Sequence, residues 1–194
     1  MKLKFNEYYS KIIDDIEQTS LSMIILGYAG SGKSTLLRHI VQQNKKTYAI
    51  LAPTGISALN VGGETIHSFF KMPPRMIDRS AVKDHNKSEI GEVIREIDTF
   101  IIDEISMVRA DLFDGIDLSL RLATGNELPF GGKQIICFGD LSQLPPIVTD
   151  DERDLMADRY DSPYFFDSNA CWNYQFSYRL LTHNYRQDKI TKTY

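Results

Sequence analysis

The sequence predicts an α/β domain with a mainly parallel central sheet flanked by helices, and three observations predict it. Apolar runs of strand length alternate with stretches of helical periodicity; one run passes through a glycine-rich turn directly into an amphipathic segment; and several runs stop on short polar strings. Strands that alternate with helices form a parallel sheet covered on both faces. The 194 residues, 42% of them hydrophobic, are enough to bury one core with room for a small insertion.

In chain order, Tyr9, Ile12, Ile13 and Ile16 fall at helical spacing and predict a first helix over residues 6–19. Residues 22–40, SMIILGYAGSGKSTLLRHI, read as strand, loop and helix, with Leu36, Leu37, Ile40 and Val41 marking the helix face. TYAILA (47–52) reads as a second buried strand. Pro53 cannot continue a central strand, so Thr54 and Gly55 fall at its carboxyl end, where ligands sit in open parallel sheets. Residues 71–88 carry Pro73, Pro74, Lys71, Arg75, Arg79, Lys83 and Lys87 with little periodicity, which predicts a long loop or small insertion. Ile90, Val93, Ile94 and Ile97 predict a helix capped by Ser88. TFIID (99–103) is a third strand, residues 110–123 a helix marked by Leu112, Phe113, Ile116, Leu120 and Leu122, PFGG a turn, and QIICFG a fourth strand. A helix-like patch around Trp172 precedes a fifth, FSYRLL.

Composition narrows the function classes. A formal net charge of −4 provides no global positive field, so any nucleic-acid contact has to be local. Cys137 and Cys171 are far apart and lack metal-ligand spacing, which suits buried thiols in a reducing compartment. The first fifteen residues have no apolar core of a signal peptide, and no run approaches ~18 apolar residues. The expectation is a cytoplasmic protein with no membrane partner.

Gly27, Gly32, Lys33 and Ser34 satisfy G-x-x-x-x-G-K-[ST], the spacing at which consecutive backbone N–H groups turn inward around phosphate oxygens. The cradle runs from Gly27 through Ala29, Gly30, Ser31 and Gly32 to Thr35, and the helix starting near Lys33 aims its positive end at the same place. Lys33 is expected to bridge the β- and γ-phosphates and Ser34 to hold Mg²⁺, with Thr35 capping or packing. Asp103 and Glu104 leave the third strand beside this loop. The first suits a metal-holding carboxylate, and the second a base that polarises the attacking water. In GDLSQLPPIV, Gln143 can donate to a phosphate oxygen and accept from water, which suits detection of a γ-phosphate. Asp140 either hydrogen-bonds within its turn or touches the metal.

The strings GYAGSGKST, APTGISALNVGGETIHSFF, IIDEISMV, PFGGKQIICFGDLSQLPPIV and LTHNYRQ, in this order, resemble the first RecA-like motor domain of superfamily 1B DNA helicases of the Pif and RecD type. The resemblance runs nearly end to end, making residues 1–194 a single RecA-like domain. It implies ATP with Mg²⁺, 5′-to-3′ movement on single-stranded DNA, and a sheet with the phosphate-loop strand central and the Gln143 strand between it and the Asp103 strand. It places Thr54, Asn60, Thr65, His67 and Ser68 on the DNA strand, where hydroxyl, amide and imidazole groups bond phosphate and sugar without reading bases. Phe69 and Phe70 offer either a stacking face or core packing, with core favoured for at least one. Residues 71–88 stand where relatives carry a strand-separating wedge, the alternative being a solvated loop.

The resemblance also gives Arg186 to the γ-phosphate and Tyr185 to an adenine-stacking position used in some relatives. Tyr9 stands where relatives often have an adenine-reading glutamine, and Gln18 lies on the far side of that helix. Relatives continue into a second RecA-like domain, so this chain is expected to be a fragment holding one wall of the ATP cleft. A nucleotide-regulated DNA-binding or adaptor module without efficient turnover is the alternative function. A small-molecule kinase is disfavoured by GDLSQLPP and by Glu104 directly after Asp103.

Overall fold

A computed structural model of the chain describes residues 6–43 and 45–183. Helix α1 (Glu7–Gln18) starts where the Asn6 side chain accepts the Tyr9 N–H, and it buries Tyr9, Ile12, Ile13 and Ile16. Strand β1 (Met23–Gly27) leads through the glycine loop into α2 (Lys33–Gln43), and β2 (Tyr48–Ala52) follows. Next come α3 (Gly55–Val61), the two-residue β3 (Glu64–Thr65) and α4 (Ile66–Phe69). Helix α5 (Glu89–Glu96), capped by Ser88, precedes β4 (Thr99–Ile102), α6 (Ala110–Thr124) and β5 (Gln134–Gly139). Short helices α7 (Arg153–Ala157) and α8 (Asn169–Trp172) lead to β6 (Ser177–Leu181).

The strands pair in parallel in the order β3-β2-β4-β5-β1-β6. As the resemblance implies, β5 lies between β1 and β4; the phosphate-loop strand β1 is not central, however, since among the described residues only the edge strand β6 lies beyond it. Because side chains alternate along a strand, each central strand feeds two layers. Met23, Ile25, Ile101, Ile136 and Phe138 pack with Leu36, Leu37 and Ile40 of α2 and with the α1 stripe. Ile24, Phe100, Ile102, Ile135 and Cys137 pack on the other side with Ile94 of α5 and Phe113 and Ile116 of α6. Burial on both sides is why these strands read as unbroken apolar runs.

Several expectations change. The sheet has six strands where five were read, because a two-residue strand has no periodicity to detect. Residues 54–70 carry two helices begun by threonine caps: Thr54 accepts the Ser57 N–H and Thr65 the Ser68 N–H. Phe69 and Phe70 are both buried, edge-to-face on each other and packed on Phe100, so neither offers a stacking face to DNA. Val93, placed on the buried face of α5, is exposed, since that helix buries Gly91 and Ile94 instead.

Residues 71–88 are not a solvated loop. Met72, Ile77, Val82 and His85 are buried in the α5–α6 layer. The Ile77 N–H donates to Asp111 Oδ2 (2.6 Å) and the Met76 N–H to Glu152 Oε1 (2.5 Å), so docking satisfies the backbone. Lys71, Arg75, Arg79, Lys83 and Lys87 stay exposed along the docked segment.

This docking sets a sign for one substitution. Replacing a helical glycine by alanine ordinarily stabilises by ~0.5–1 kcal/mol. A Cβ on Gly91 would lie 1.9 Å from the His85 carbonyl oxygen, so Gly91→Ala should instead destabilise by more than about 1 kcal/mol. Urea unfolding should show the midpoint falling at constant slope.

Candidate nucleotide and DNA site

The phosphate loop begins where β1 ends. A Cβ on Gly27 would lie 2.5 Å from Ser31 Oγ and 3.0 Å from Leu181, so the loop closes only over glycine there. Gly30 and Gly32 have φ of 86° and 89°, in the left-handed range other residues avoid. The Ser31 N–H donates to the Tyr28 carbonyl (3.1 Å). Lys33 Nζ donates to the carbonyls of Gly27 (2.5 Å) and Tyr28 (3.1 Å), which holds the ammonium across the loop. Ala29 and Ser34 are exposed, Gly30, Gly32 and Thr35 half-buried, and Ser31 buried with its hydroxyl unbonded to any described group.

Register brings the carboxylates to this loop. Leu26 pairs with Gly139, so Asp140 follows level with Gly27, and Ile102 pairs with Cys137, which sets Asp103 one residue beyond on the adjoining strand. Burial raises the Asp103 carboxyl to about 6; the nearby Glu104 charge adds to this, while the Glu104 N–H and the Lys33 charge oppose it. Glu104 has φ 54° and ψ 45°, a left-handed conformation costing a non-glycine residue ~1 kcal/mol, and it turns the chain off the strand line. Gly139 permits that turn, since a Cβ there would lie 2.7 Å from Ile105 Cγ2.

Asp140 is held within its own turn. It accepts from Ser142 Oγ (2.6 Å), the Ser142 N–H (3.1 Å) and Gln143 Nε2 (2.9 Å). Burial opposes its ionisation, but these bonds and the Lys33 charge outweigh it and hold the carboxyl below its ordinary value. Gln143 is exposed, its amide oriented by Asp140. One buried carboxylate and one accessible hydroxyl beside a phosphate cradle match Mg²⁺, which takes one or two carboxylates and completes its shell with phosphates and water. Tyr185 and Arg186 lie outside the described residues.

The residues assigned to DNA divide. Thr54 and His67 line one cavity of about 180 Å³, together with Pro74, Arg109 and Ile147. Burial and the Arg109 charge lower the His67 pKa against the opposing pull of the Asp111 carboxylate. Asn60 is exposed on α3, and its carbonyl accepts from Arg38 Nη2 of α2 (3.2 Å). Thr65 caps α4, and Ser68 Oγ donates to Glu64 Oε1 (2.5 Å). Sequence reasoning missed the ion cluster in the cavity wall. The Arg109 guanidinium grips Asp111 at 2.9 and 2.6 Å and Glu152 at 2.7 Å. Asp111 and Glu152 are the acceptors that hold residues 76 and 77, so the cluster fastens the insertion beside the cavity.

Helix α1 turns its apolar stripe inward, leaving Tyr9 1% exposed with its hydroxyl donating to the Ser31 carbonyl at 2.5 Å, behind the phosphate loop.

Comparison with known proteins places this architecture. The model of the PIF1-like helicase family matches residues 4–194. The chain belongs to the PIF1-like helicase family. It is 33% identical over 190 residues to the ATP-dependent DNA helicase PIF1 of Emericella nidulans, covering 91% of this chain and 24% of that protein. The ATP-dependent DNA helicase Pif1 of Bdellovibrio bacteriovorus is 31% identical, with 89% of this chain and 38% of that one covered. The chain thus spans well under half the length of these curated relatives. Among solved structures, Bacteroides Pif1 bound to single-stranded DNA superposes with a TM-score of 0.88 at 36% identity, covering 98% of this chain and 45% of that one. Bacteroides Pif1 with ADP-AlF4 gives 0.89 at 38%, covering 96% and 44%. Among the described residues no helix is long and apolar enough to cross a membrane.

The raised pKa of Asp103 makes a pH prediction. An acid whose folded pKa lies above its unfolded value contributes stability below about pH 4 that is lost as pH rises through about 6. In Mg²⁺-free buffer, Asp103→Asn should therefore gain about 3 kcal/mol over the parent at pH 7.5 and little at pH 4. Urea titrations at both pH values measure the difference.

Proposed function

We propose that the chain is the ATP-hydrolysing first RecA-like motor domain of a DNA helicase that moves 5′-to-3′ on single-stranded DNA. The observation carrying this reading is that Lys33, Asp103 and Asp140–Gln143 converge at the carboxyl ends of three adjacent parallel strands, while Thr54 and His67 stand at the end of β2 in the same sheet. That the relatives are helicases, one of them solved with single-stranded DNA and another with a nucleotide analogue, supports it.

In this reading the N–H groups of residues 27–35 and the Lys33 ammonium take the phosphates of ATP, the ammonium exchanging two carbonyl partners for more strongly charged ones. Ser34 and Asp103 would hold Mg²⁺, which would supply positive charge against the phosphates. Glu104, aimed off the strand line by its left-handed backbone, accepts a proton from the attacking water. Gln143 detects the γ-phosphate, Arg186 neutralises charge on it, and Tyr185 stacks on adenine. Thr54, Asn60, Thr65, His67 and Ser68 follow the DNA backbone, with residues 71–88 as the wedge beside them. A second RecA-like domain supplies the other wall of the cleft. The 194-residue chain alone turns over slowly, since the second domain of such helicases supplies another phosphate-sensing arginine and loss of a transition-state arginine costs ~10³ or more.

Two measurements test the assignment. Glu104→Gln should keep ATP affinity within about threefold while hydrolysis falls ~10² or more, whereas Lys33→Ala should lose affinity as well. Calorimetry with ATP and single-turnover hydrolysis separate the two, and equal loss of binding in both variants contradicts the roles. Anisotropy of labelled oligo-dT should report weak binding that falls steeply with salt. His67→Ala and Thr54→Ala should each weaken it about three- to tenfold. Binding unaffected by either substitution moves the strand to the basic segment 71–88.

A further inference from the structure

Tyr9 lies outside every role assigned so far, yet it is a fully buried phenol bonded to the phosphate loop from a different element. We propose that Tyr9 is a positioning residue for nucleotide binding: by holding the Ser31 carbonyl from behind, it fixes the Gly32 N–H in the direction that meets a phosphate oxygen. The inference rests on the nucleotide reading of the loop and adds to it a residue outside the G-x-x-x-x-G-K-[ST] string.

The argument starts from peptide planarity. In a trans peptide the C=O of one residue and the N–H of the next point in opposite directions across one rigid plane. None of the described peptide bonds is cis. The Ser31 carbonyl is drawn toward α1 by Tyr9 Oη at 2.5 Å, so the N–H of Gly32 faces away from α1. Rotation of that plane is otherwise easy, because its far side is a glycine, at φ 89°, for which both signs of φ are open. Its neighbours already have fixed partners: the Ser31 N–H is tied to Tyr28 and the Gly32 carbonyl accepts the Leu36 N–H (2.8 Å) as the first bond of α2. The Ser31–Gly32 plane is therefore the soft joint between two anchored ones.

Helix α1 can bear this load because it is itself fixed. Ile12, Ile13 and Ile16 bury its stripe against the sheet. Tyr8, adjacent to Tyr9, ties the first turn to β6, its hydroxyl accepting the Leu180 N–H at 3.3 Å. An oriented N–H serves ground state and transition state alike, so its loss should raise KM and leave kcat near its parent value.

The test uses the 194-residue chain and Tyr9→Phe, which keeps the buried ring and deletes the hydroxyl. Calorimetry should show affinity for ADP and for ATP with Mg²⁺ falling about fivefold, the weight of one hydrogen bond, with KM for ATP rising alike and kcat within twofold. Asn6→Ala is the companion: it removes the cap while keeping the phenol, and should lower the unfolding midpoint with nucleotide affinity within twofold. Unchanged affinity in Tyr9→Phe, or equal losses in the two variants, overturns the positioning role while the nucleotide site stands. Failure of the parent chain to bind either nucleotide overturns both.

Discussion

The placement of β5 between β1 and β4, all three parallel, is the constraint on which the rest of the molecule depends. Three strand ends, at Gly27, Ile102 and Gly139, are brought to one rim: Ile136 pairs with Met23 on one side and Ile101 on the other. A phosphate loop, a buried carboxylate and a hydrogen-bonded turn then share one rim without any direct bond among them having to build it. The same arrangement buries Asp103 deeply enough to resist ionisation, and the Lys33 ammonium offsets only part of that cost.

Close approach is the second consequence. Strands spaced at roughly 4.8 Å leave little room where chains turn out of the sheet. Gly27 admits Ser31 and β6, and Gly139 admits the turn after Glu104. The strain of a left-handed glutamate sits next to a glycine that makes the turn possible, so the cost is confined to one backbone position. Strain of this kind persists where surrounding contacts over-determine it, and here β5 and the turn at residues 105–107 do so.

What was legible in the sequence follows from which forces are local. Apolar runs, the phosphate-loop spacing and the Ser88 cap depend on neighbours within a few residues, and those elements stand where expected. Most departures arise from contacts distant in sequence. Residues 71–88 look solvated because their basic side chains are exposed, while what fastens them is backbone N–H donation to Asp111 and Glu152. The Arg109 cluster closes only through Glu152, 43 residues on. Tyr9 was placed by alignment against a base-reading position, and only the inward stripe of α1 shows its hydroxyl behind the loop. Family resemblance groups Thr54, Asn60, Thr65, His67 and Ser68; of these, Thr54 and His67 line one cavity, and Asn60, Thr65 and Ser68 do not.

The two halves of the rim are joined by a short mechanical path. The Asp103 N–H donates to the Leu51 carbonyl at 2.9 Å, and three residues after Leu51 the side chain of Thr54 caps α3. Pro53, with φ held near −65°, leaves that connection little freedom. From the nucleotide side, α2 reaches the same helix through Arg38, which grips the Asn60 carbonyl at 3.2 Å. Helix α3 is thus held at its first turn by the strand bonded to the Asp103 backbone, and near its last by the helix that starts at Lys33. A displacement at either carboxylate or lysine has to move α3 or break one of two hydrogen bonds. The geometry thus ties α3, which carries Asn60, to both the Asp103 strand and the helix that starts at Lys33.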